Sequence, residues 1–229
     1  MRKRIIVAID GPAGAGKSTI ARRVADRLGF VYINTGAMYR AVALWALRNA
    51  TDLNDMHRLE MLAKEAKIEF RIGDGRILLN GEDVTGAIYS PEVSAAASKV
   101  SAVPGVRRAL IPVQRGIAET TSVVMEGRDI GSVIFPEAQI KIFLDAKPEE
   151  RARRRALELQ ERGEQVGVAT VEAALRDRDR RDRDRREAPL VQAPDAVLLD
   201  TTALSPEQVE EEILHLVRSR TANGKEVHR

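Results

Sequence analysis

The stretch Ile5-Ile-Val-Ala-Ile9-Asp10-Gly11-Pro12-Ala13-Gly14-Ala15-Gly16-Lys17-Ser18-Thr19 decides the fold. Ile5 to Ile9 is a continuous apolar run rich in β-branched residues, the pattern of a strand buried on both faces of a parallel sheet. Gly11 to Ser18 fits the pattern G-x-x-x-x-G-K-[ST]. Behind it Ile20, Ala21, Val24 and Leu28 recur at helical spacing and Gly29 closes the segment, so residues 5–28 read as strand, loop, helix. Glycines allow successive backbone N–H groups to turn inward around an anion, and the helix N-terminus adds its partial positive charge. In such a loop Lys17 reaches the β and γ phosphates of a nucleoside triphosphate and Ser18 ligates Mg²⁺. A merely tight glycine turn is the competing reading, weighed against a full pattern match in the required context.

Outward from this unit, Val31 to Ile33 reads as a second strand leading into a helix from about Ala37 to Asn49. Apolar runs recur at Ser122 to Met125, Ile140 to Leu144 and Ala196 to Leu199. The last two precede helices opened by Pro148 and Pro206. Strands alternating with helices predict an α/β fold, a doubly wound parallel sheet of about five strands with helices on both faces. The middle of the chain breaks the rhythm. Ile68 to Ile72 and Arg76 to Asn80 flank Gly73-Asp74-Gly75 and predict an inserted antiparallel hairpin, followed by helices around Val93 to Ser101 and Val106 to Glu119. The polar tail after Arg220 is expected to fray.

Composition narrows the class. With 229 residues, 44% hydrophobic and 31% charged, the chain can bury one elaborated domain or two small ones. Ile5 to Ile9 is too short for a membrane span or a signal-peptide core, so no membrane association is expected. The absence of cysteine removes disulfides, thiolate nucleophiles and sulfur-ligated zinc, and fits the expected cytoplasmic location. His57, His215 and His228 have no metal-ligand spacing and read as ordinary histidines. The formal net charge is +3, and Arg176 to Arg186 alone carries seven arginines against four aspartates. Because that run is interleaved with acid and the rest balances, it argues weakly for nucleic acid.

In an open α/β sheet ligands sit beyond the carboxyl ends of the strands. Three clusters lie there or can reach there. Asn34-Thr35-Gly36-Ala-Met-Tyr39-Arg40 could hold a phosphorylated planar ligand, Arg40 on phosphate and Tyr39 against a ring, or could simply pack. Glu126-Gly127-Arg128-Asp129-Ile-Gly131 reads equally as a site or as a turn. In the arginine and aspartate run, Arg178, Asp182 and Arg185 share one helical face. The run is either a solvated, salt-bridged helix or a lid that closes on transferring phosphates.

Taken together these segments resemble the bacterial cytidylate kinases, a branch of the nucleoside monophosphate kinases within the P-loop NTPases. The resemblance rests on residues 9–18, on Thr35 to Arg40, on Glu126 to Gly131, on Phe143-Leu-Asp-Ala146, and on the Arg-Asp run up to Ala188-Pro-Leu190. Some members have aspartate and serine where Glu126 and Thr35 stand. The resemblance implies transfer of the γ-phosphoryl group of ATP to CMP or dCMP, with Mg²⁺. A monomer is expected. It places the ATP phosphates on Gly11, Pro12, Ala13, Gly14, Ala15, Gly16, Lys17, Ser18 and Thr19, and the metal on Ser18. CMP is expected on Thr35, Tyr39, Arg40, Ser98, Arg107, Arg128, Asp129, Arg178, Asp182 and Arg185. Lys17, Arg128, Arg178 and Arg185 are the expected catalytic residues. Base chemistry fits: cytosine offers an amino donor beside acceptors, which a carboxylate paired with an arginine complements, whereas uracil puts a carbonyl where the amine was.

The implied organisation is a core with the phosphate loop at residues 1–36, a monophosphate-binding region at 37–120 with its insertion near 67–103, and more core at 121–162. A lid at 163–190, core at 191–220 and a frayed tail at 221–229 complete it. Asp145, ahead of Lys147-Pro148, reads as a helix-start residue rather than a magnesium ligand.

Overall fold

Ile6–Asp10 forms β1, the central strand of a five-stranded parallel sheet, in a computed structural model that describes residues 4–71 and 75–226. Its sheet neighbours are β6 (Val123–Glu126) and β7 (Ile140–Asp145), with β2 (Val31–Asn34) outside the first and β8 (Val197–Asp200) outside the second. Helices cover both faces, as the doubly wound pattern predicts. On one face α1 (Lys17–Leu28) and α8 (Pro206–Glu226) bury Ile20, Val24, Ile213 and Val217 against Val7, Ile9 and Ile142. On the other, Ala8, Ile33 and Met125 pack with Ile130, Ile134 and Ala118, the last on α5 (Pro104–Ala118). The fold is that of a P-loop NTPase.

A third apolar cluster lies beside the sheet. It joins α2 (Thr35–Arg48), α3 (Met56–Glu65), α4 (Pro91–Val100) and α5 to the small antiparallel sheet of β3 (Ile68–Phe70), β4 (Ile77–Leu79) and β5 (Glu82–Asp83). The hairpin is shorter than expected, Ile68 facing Leu79 and Phe70 facing Ile77. Ile72, Gly73 and Asp74 of the expected strand and turn lie outside the described residues. Helix α3 was absent from the sequence expectations. Asp55 caps it, its carboxylate accepting the Arg58 N–H at 2.9 Å, and Leu59, Leu62 and Ala63 face inward. Helix α8 continues past Arg220 to Glu226, through residues expected to fray.

The remaining elements are α6 (Pro148–Glu161) and the arginine-rich α7 (Val168–Arg183). Val171 and Leu175 of α7 pack on Ala152 of α6 and on Ala13 of the phosphate loop, in a fourth small cluster. Among the described residues no helix is long and apolar enough to cross a membrane.

Strand β1 ends on a buried carboxylate. Asp10 accepts the N–H groups of Ile130 at 2.8 Å and Gly131 at 2.7 Å. Residues Ile130–Ile134 wind as one wide turn in which Phe135 donates to the Ile130 carbonyl and Ile134 to that of Asp129, a spacing that occurs mostly at functional sites. Asp10 thereby fixes the loop after β6 relative to the phosphate loop. Burial is the main reason its carboxyl is pushed up from 3.8 to about 6; the two amides and Lys17 oppose the shift and Asp129 adds to it. The folded protein binds this proton more tightly than the unfolded chain, so the stability contributed by Asp10 is full below about pH 4 and falls as pH rises through 6. Asp10→Ala strands two buried amides and is expected to cost about 2–4 kcal/mol near pH 5 in denaturant unfolding. That penalty should shrink toward pH 7; a penalty that grows with pH would contradict the assignment.

Candidate active site

Gly11 leaves β1 at φ +145°, and a Cβ there would stand 2.0 Å from the Leu144 carbonyl oxygen, so only glycine lets the loop pass so close to β7. Gly14, at φ +77°, is held as tightly, since a Cβ there would meet the Arg151 carbonyl oxygen at 2.8 Å. From this turn α1 starts at Lys17, whose ammonium donates to the Pro12 carbonyl at 2.6 Å. Ala13, Gly14, Lys17, Ser18 and Thr19 line a cavity of about 620 Å³, while Gly11, Pro12, Ala15 and Gly16 form the loop behind it. Burial pushes the Lys17 ammonium well below its ordinary value, and Arg128 and Arg178 push the same way.

The opposite wall is built from the ends of β2 and β6. Asn34 caps α2 by accepting the Ala37 N–H, which sets Thr35, Tyr39 and Arg40 on the cavity side. The Thr35 hydroxyl donates to the Glu126 carbonyl at 2.8 Å and ties the two strand ends. The loop after β6 then presents Arg128 and Asp129, both cavity-lining. Asp129 is buried and paired with Arg107 of α5, whose guanidinium lies 5.3 Å from the Tyr39 ring centroid. Burial works against the Arg107 charge, but Tyr39 and Asp129 raise its pKa overall. A carboxylate, a guanidinium and a ring therefore meet at one end of the cavity.

Helix α7 and the turn after it close the other side; the helix ends at Arg183, so Arg185 does not share a helical face with Arg178 and Asp182 as the spacing predicted but stands just past the helix end. Asp182 is buried between Arg128, at 2.9 Å, and Arg185, and these arginines with Arg178 hold its carboxyl low despite burial. Arg185 also donates to the Ser101 hydroxyl at 3.0 Å, joining the turn after α7 to the segment after α4. Burial pushes Arg178 down to about 9, with Arg128 and Arg40 adding repulsion; it remains a cation at neutral pH. Arg40 and Arg185 are shifted down by burial and by neighbouring arginines in the same way. Buried donors on Arg40, Arg178 and Arg185 have no hydrogen-bond partner, an arrangement suited to an anion with several acceptor oxygens.

The cavity brings together Ala13, Gly14, Lys17, Ser18, Thr19, Thr35, Tyr39, Arg40, Arg107, Arg128, Asp129, Arg178, Asp182 and Arg185 of the residues named from the sequence. Gly11, Pro12, Ala15 and Gly16 stand behind it, and Ser98 is buried with its hydroxyl unpartnered and is not part of the lining, where its neighbours Ser94, Ala97 and Ser101 stand. Glu126 lines the cavity too, its carboxylate accepting the Tyr32 hydroxyl at 2.6 Å, although the sequence motif gave it no role. Tyr32, Tyr89 and Arg162 belong to the same wall and carried no sequence signal of their own. Tyr89 lies between Arg40 and Arg162, whose guanidinium carbons are 5.3 and 5.5 Å from its ring centroid. His57 and His215 are exposed and outside the lining, and no cluster of three or more acidic or histidine side chains suited to a metal occurs among the described residues.

Comparison with known proteins agrees with this geometry. A family model described as cytidylate kinase matches residues 7–219. The cytidylate kinase of Solibacter usitatus (strain Ellin6076) is 61% identical over 227 residues, covering 98% of this chain and 97% of that protein. That of Symbiobacterium thermophilum (strain DSM 24528 / JCM 14929 / IAM 14863 / T) is 49% identical over 219 residues, covering 94% and 97%. Among solved structures, an uncharacterized protein from Eubacterium ventriosum ATCC 27560 shares the fold at TM-score 0.50 and 12% identity, with 94% of this chain and 99% of that one covered. The chain belongs to the cytidylate kinase family.

Proposed function

We propose that the cavity holds two nucleotides head to head, ATP on the phosphate loop and CMP or dCMP between α2, the loop after β6 and the lid. The observation that carries this division is that Arg40, Arg178 and Arg185, each with a buried guanidinium donor that has no partner, line the same cavity as Lys17. The enzyme is an ATP-dependent CMP kinase. Triphosphate oxygens accept from the backbone amides of the loop through Thr19 and from Lys17. The acceptor phosphate sits among Arg40, Arg128 and Arg185, and Arg178 reaches the group in transit. A CMP phosphate oxygen attacks the γ phosphorus, a new O–P bond forms, and the bond to the ADP oxygen breaks. The attacking oxygen is already anionic near neutral pH, so no protein base is needed, and positioning and charge neutralisation carry the reaction.

Mg²⁺ fits the donor set. Such an ion takes one or two protein oxygens and completes its shell with water and phosphate, and the Ser18 hydroxyl and Glu126 carboxylate both line the cavity. When bound it would neutralise charge on the β and γ phosphates. In the base pocket Asp129 accepts from the cytosine amine, Arg107 donates to a ring acceptor and Tyr39 closes over the ring. Residues 37–120 and the lid at 163–190 are the parts read as closing on substrate, which excludes water from ATP. The reading is of a monomer working in the cytoplasm.

Steady-state ADP formation with ATP, Mg²⁺ and each of CMP, dCMP, UMP and AMP tests the acceptor. CMP and dCMP should lead, and equal use of AMP would sink the cytosine pocket. Arg128→Ala and Arg185→Ala are each expected to lower kcat by about 10²-fold or more, since each removes charge from the transferring oxygens. Asp129→Ala should instead cut the preference for CMP over UMP by about tenfold to a hundredfold, the equivalent of about 1–3 kcal/mol. Full CMP preference in that variant would place the base elsewhere.

A further inference from the structure

Two buried charges next to the site line no part of the cavity. Arg151, in the first turn of α6, and Asp179, on the lid helix α7, are 5% and 3% exposed and paired with each other. Neither reaches a substrate. Arg151 also donates to the Ala146 carbonyl at 3.0 Å and, across the chain, to the Ala13 carbonyl of the phosphate loop at 3.1 Å. The second Asp179 oxygen is buried without a hydrogen-bond partner. A buried ion pair is a poor source of net stability, and one left with an unsatisfied oxygen is poorer still. The pair's geometry offers a different role.

The Ala13 carbonyl and the Gly14 N–H belong to one trans peptide plane and point in opposite directions. Anchoring the carbonyl on Arg151 therefore turns the Gly14 amide the other way, and Gly14 lines the cavity. The same peptide cannot slide, because the Gly14 Cα packs on the Arg151 backbone too closely for a side chain. Ala13 itself touches Val171 and Leu175 of α7 through the small cluster it shares with Ala152. The lid thus meets the loop twice, once through apolar contact and once through a single shared guanidinium. Asp182, three residues on, faces Arg128 and Arg185 instead.

We propose that Arg151 and Asp179 are positioning residues that couple the docked lid to the donor half of the site. Asp179 holds the Arg151 guanidinium on the Ala13 carbonyl, and that bond aims the Gly14 amide at the triphosphate. Lid opening withdraws the carboxylate and loosens the aim. The inference rests on ATP occupying the phosphate loop. It separates the two aspartates of the lid: Asp179 serves the donor and Asp182 the acceptor.

The test is steady-state kinetics of Asp179→Asn and Arg151→Lys, each against ATP at saturating CMP and against CMP at saturating ATP. Asp179→Asn keeps shape and removes the charge. It is expected to raise KM for ATP by about five- to tenfold and lower kcat at least about threefold, with KM for CMP within about twofold of wild type. Arg151→Lys, which keeps charge but loses the fork, should give the same split, and the double variant should be no worse than the poorer single. An unchanged KM for ATP in both variants overturns the proposal. So does a parallel rise of both KM values with a lower Tm, the signature of a purely structural pair. If Asp179→Asn does not fold, Arg151→Lys carries the same readout. A wild-type enzyme whose rate did not saturate with ATP would remove the donor-site reading and this proposal with it, whereas failure in the variants alone leaves that reading standing.

Discussion

The structure is organised around the repulsion among Lys17, Arg40, Arg128, Arg178 and Arg185, cations that share one cavity with only a few carboxylates facing them. Like charges withdrawn from water repel more strongly than at the surface, which is why burial and mutual repulsion together depress Lys17, Arg40, Arg178 and Arg185. The fold holds them together by carrying Lys17 on α1, Arg40 on α2, Arg128 on the loop after β6 and Arg178 and Arg185 on α7 and the turn after it, and by placing Asp182 between Arg128 and Arg185. In the proposed reading nucleotide phosphates relieve the repulsion, so that binding of the substrates and docking of the arginine-bearing helix are favoured by the same charge balance and part of the binding energy goes into assembling the site.

The apolar interior is divided into several clusters: one between the sheet and α1 and α8, one around α2 to α5, and a small one under α7. They are not sealed from one another, since Ala118 of α5 packs with the sheet and Ala13 of the phosphate loop with α7. Polar and specific contacts add to these: Thr35 to the Glu126 carbonyl, Asp10 to the amides after Asp129, Arg185 to Ser101, and Arg151 between the phosphate loop and α7. Two of these four, at Asp10 and Arg151, set backbone rather than side chains. Backbone amides are the donors a phosphate meets on the loop, so their direction matters as much as the charge of Lys17.

The sheet was legible because each of its strands is an apolar run followed by a glycine, proline or capping residue, signals that local sequence carries in full. The phosphate loop was legible for a stricter reason, since φ values at Gly11, Gly14 and Gly16 leave glycine little alternative. Helix α3 was missed although Asp55 and the Leu59, Leu62, Ala63 spacing announce it; its charged exposed face masked the pattern. Of the cavity's cations, Lys17 was visible in the phosphate-loop pattern, and Arg40, Arg178 and Arg185 as candidates with a bland alternative beside each. Arg107 was named only through resemblance, because alone it is indistinguishable from a surface arginine. Ser101, Tyr89 and the Arg151–Asp179 pair depend on contacts across 28 to 84 residues of chain or on aromatic faces, and nothing local encodes them.

In the proposed reading, specificity for the base follows from how Asp129 is held. Paired with Arg107, which itself lies over the Tyr39 ring, its carboxylate is fixed in direction before a nucleotide arrives, so it would not swing away from an unsuitable base. A pyrimidine carrying a carbonyl in place of the amine would bring two acceptors together in a buried pocket, a cost that solvent cannot screen. Had Asp129 been free, rotation would have softened that penalty. In that reading the Arg107 pairing sharpens rejection of the wrong base as much as it aids acceptance of the right one.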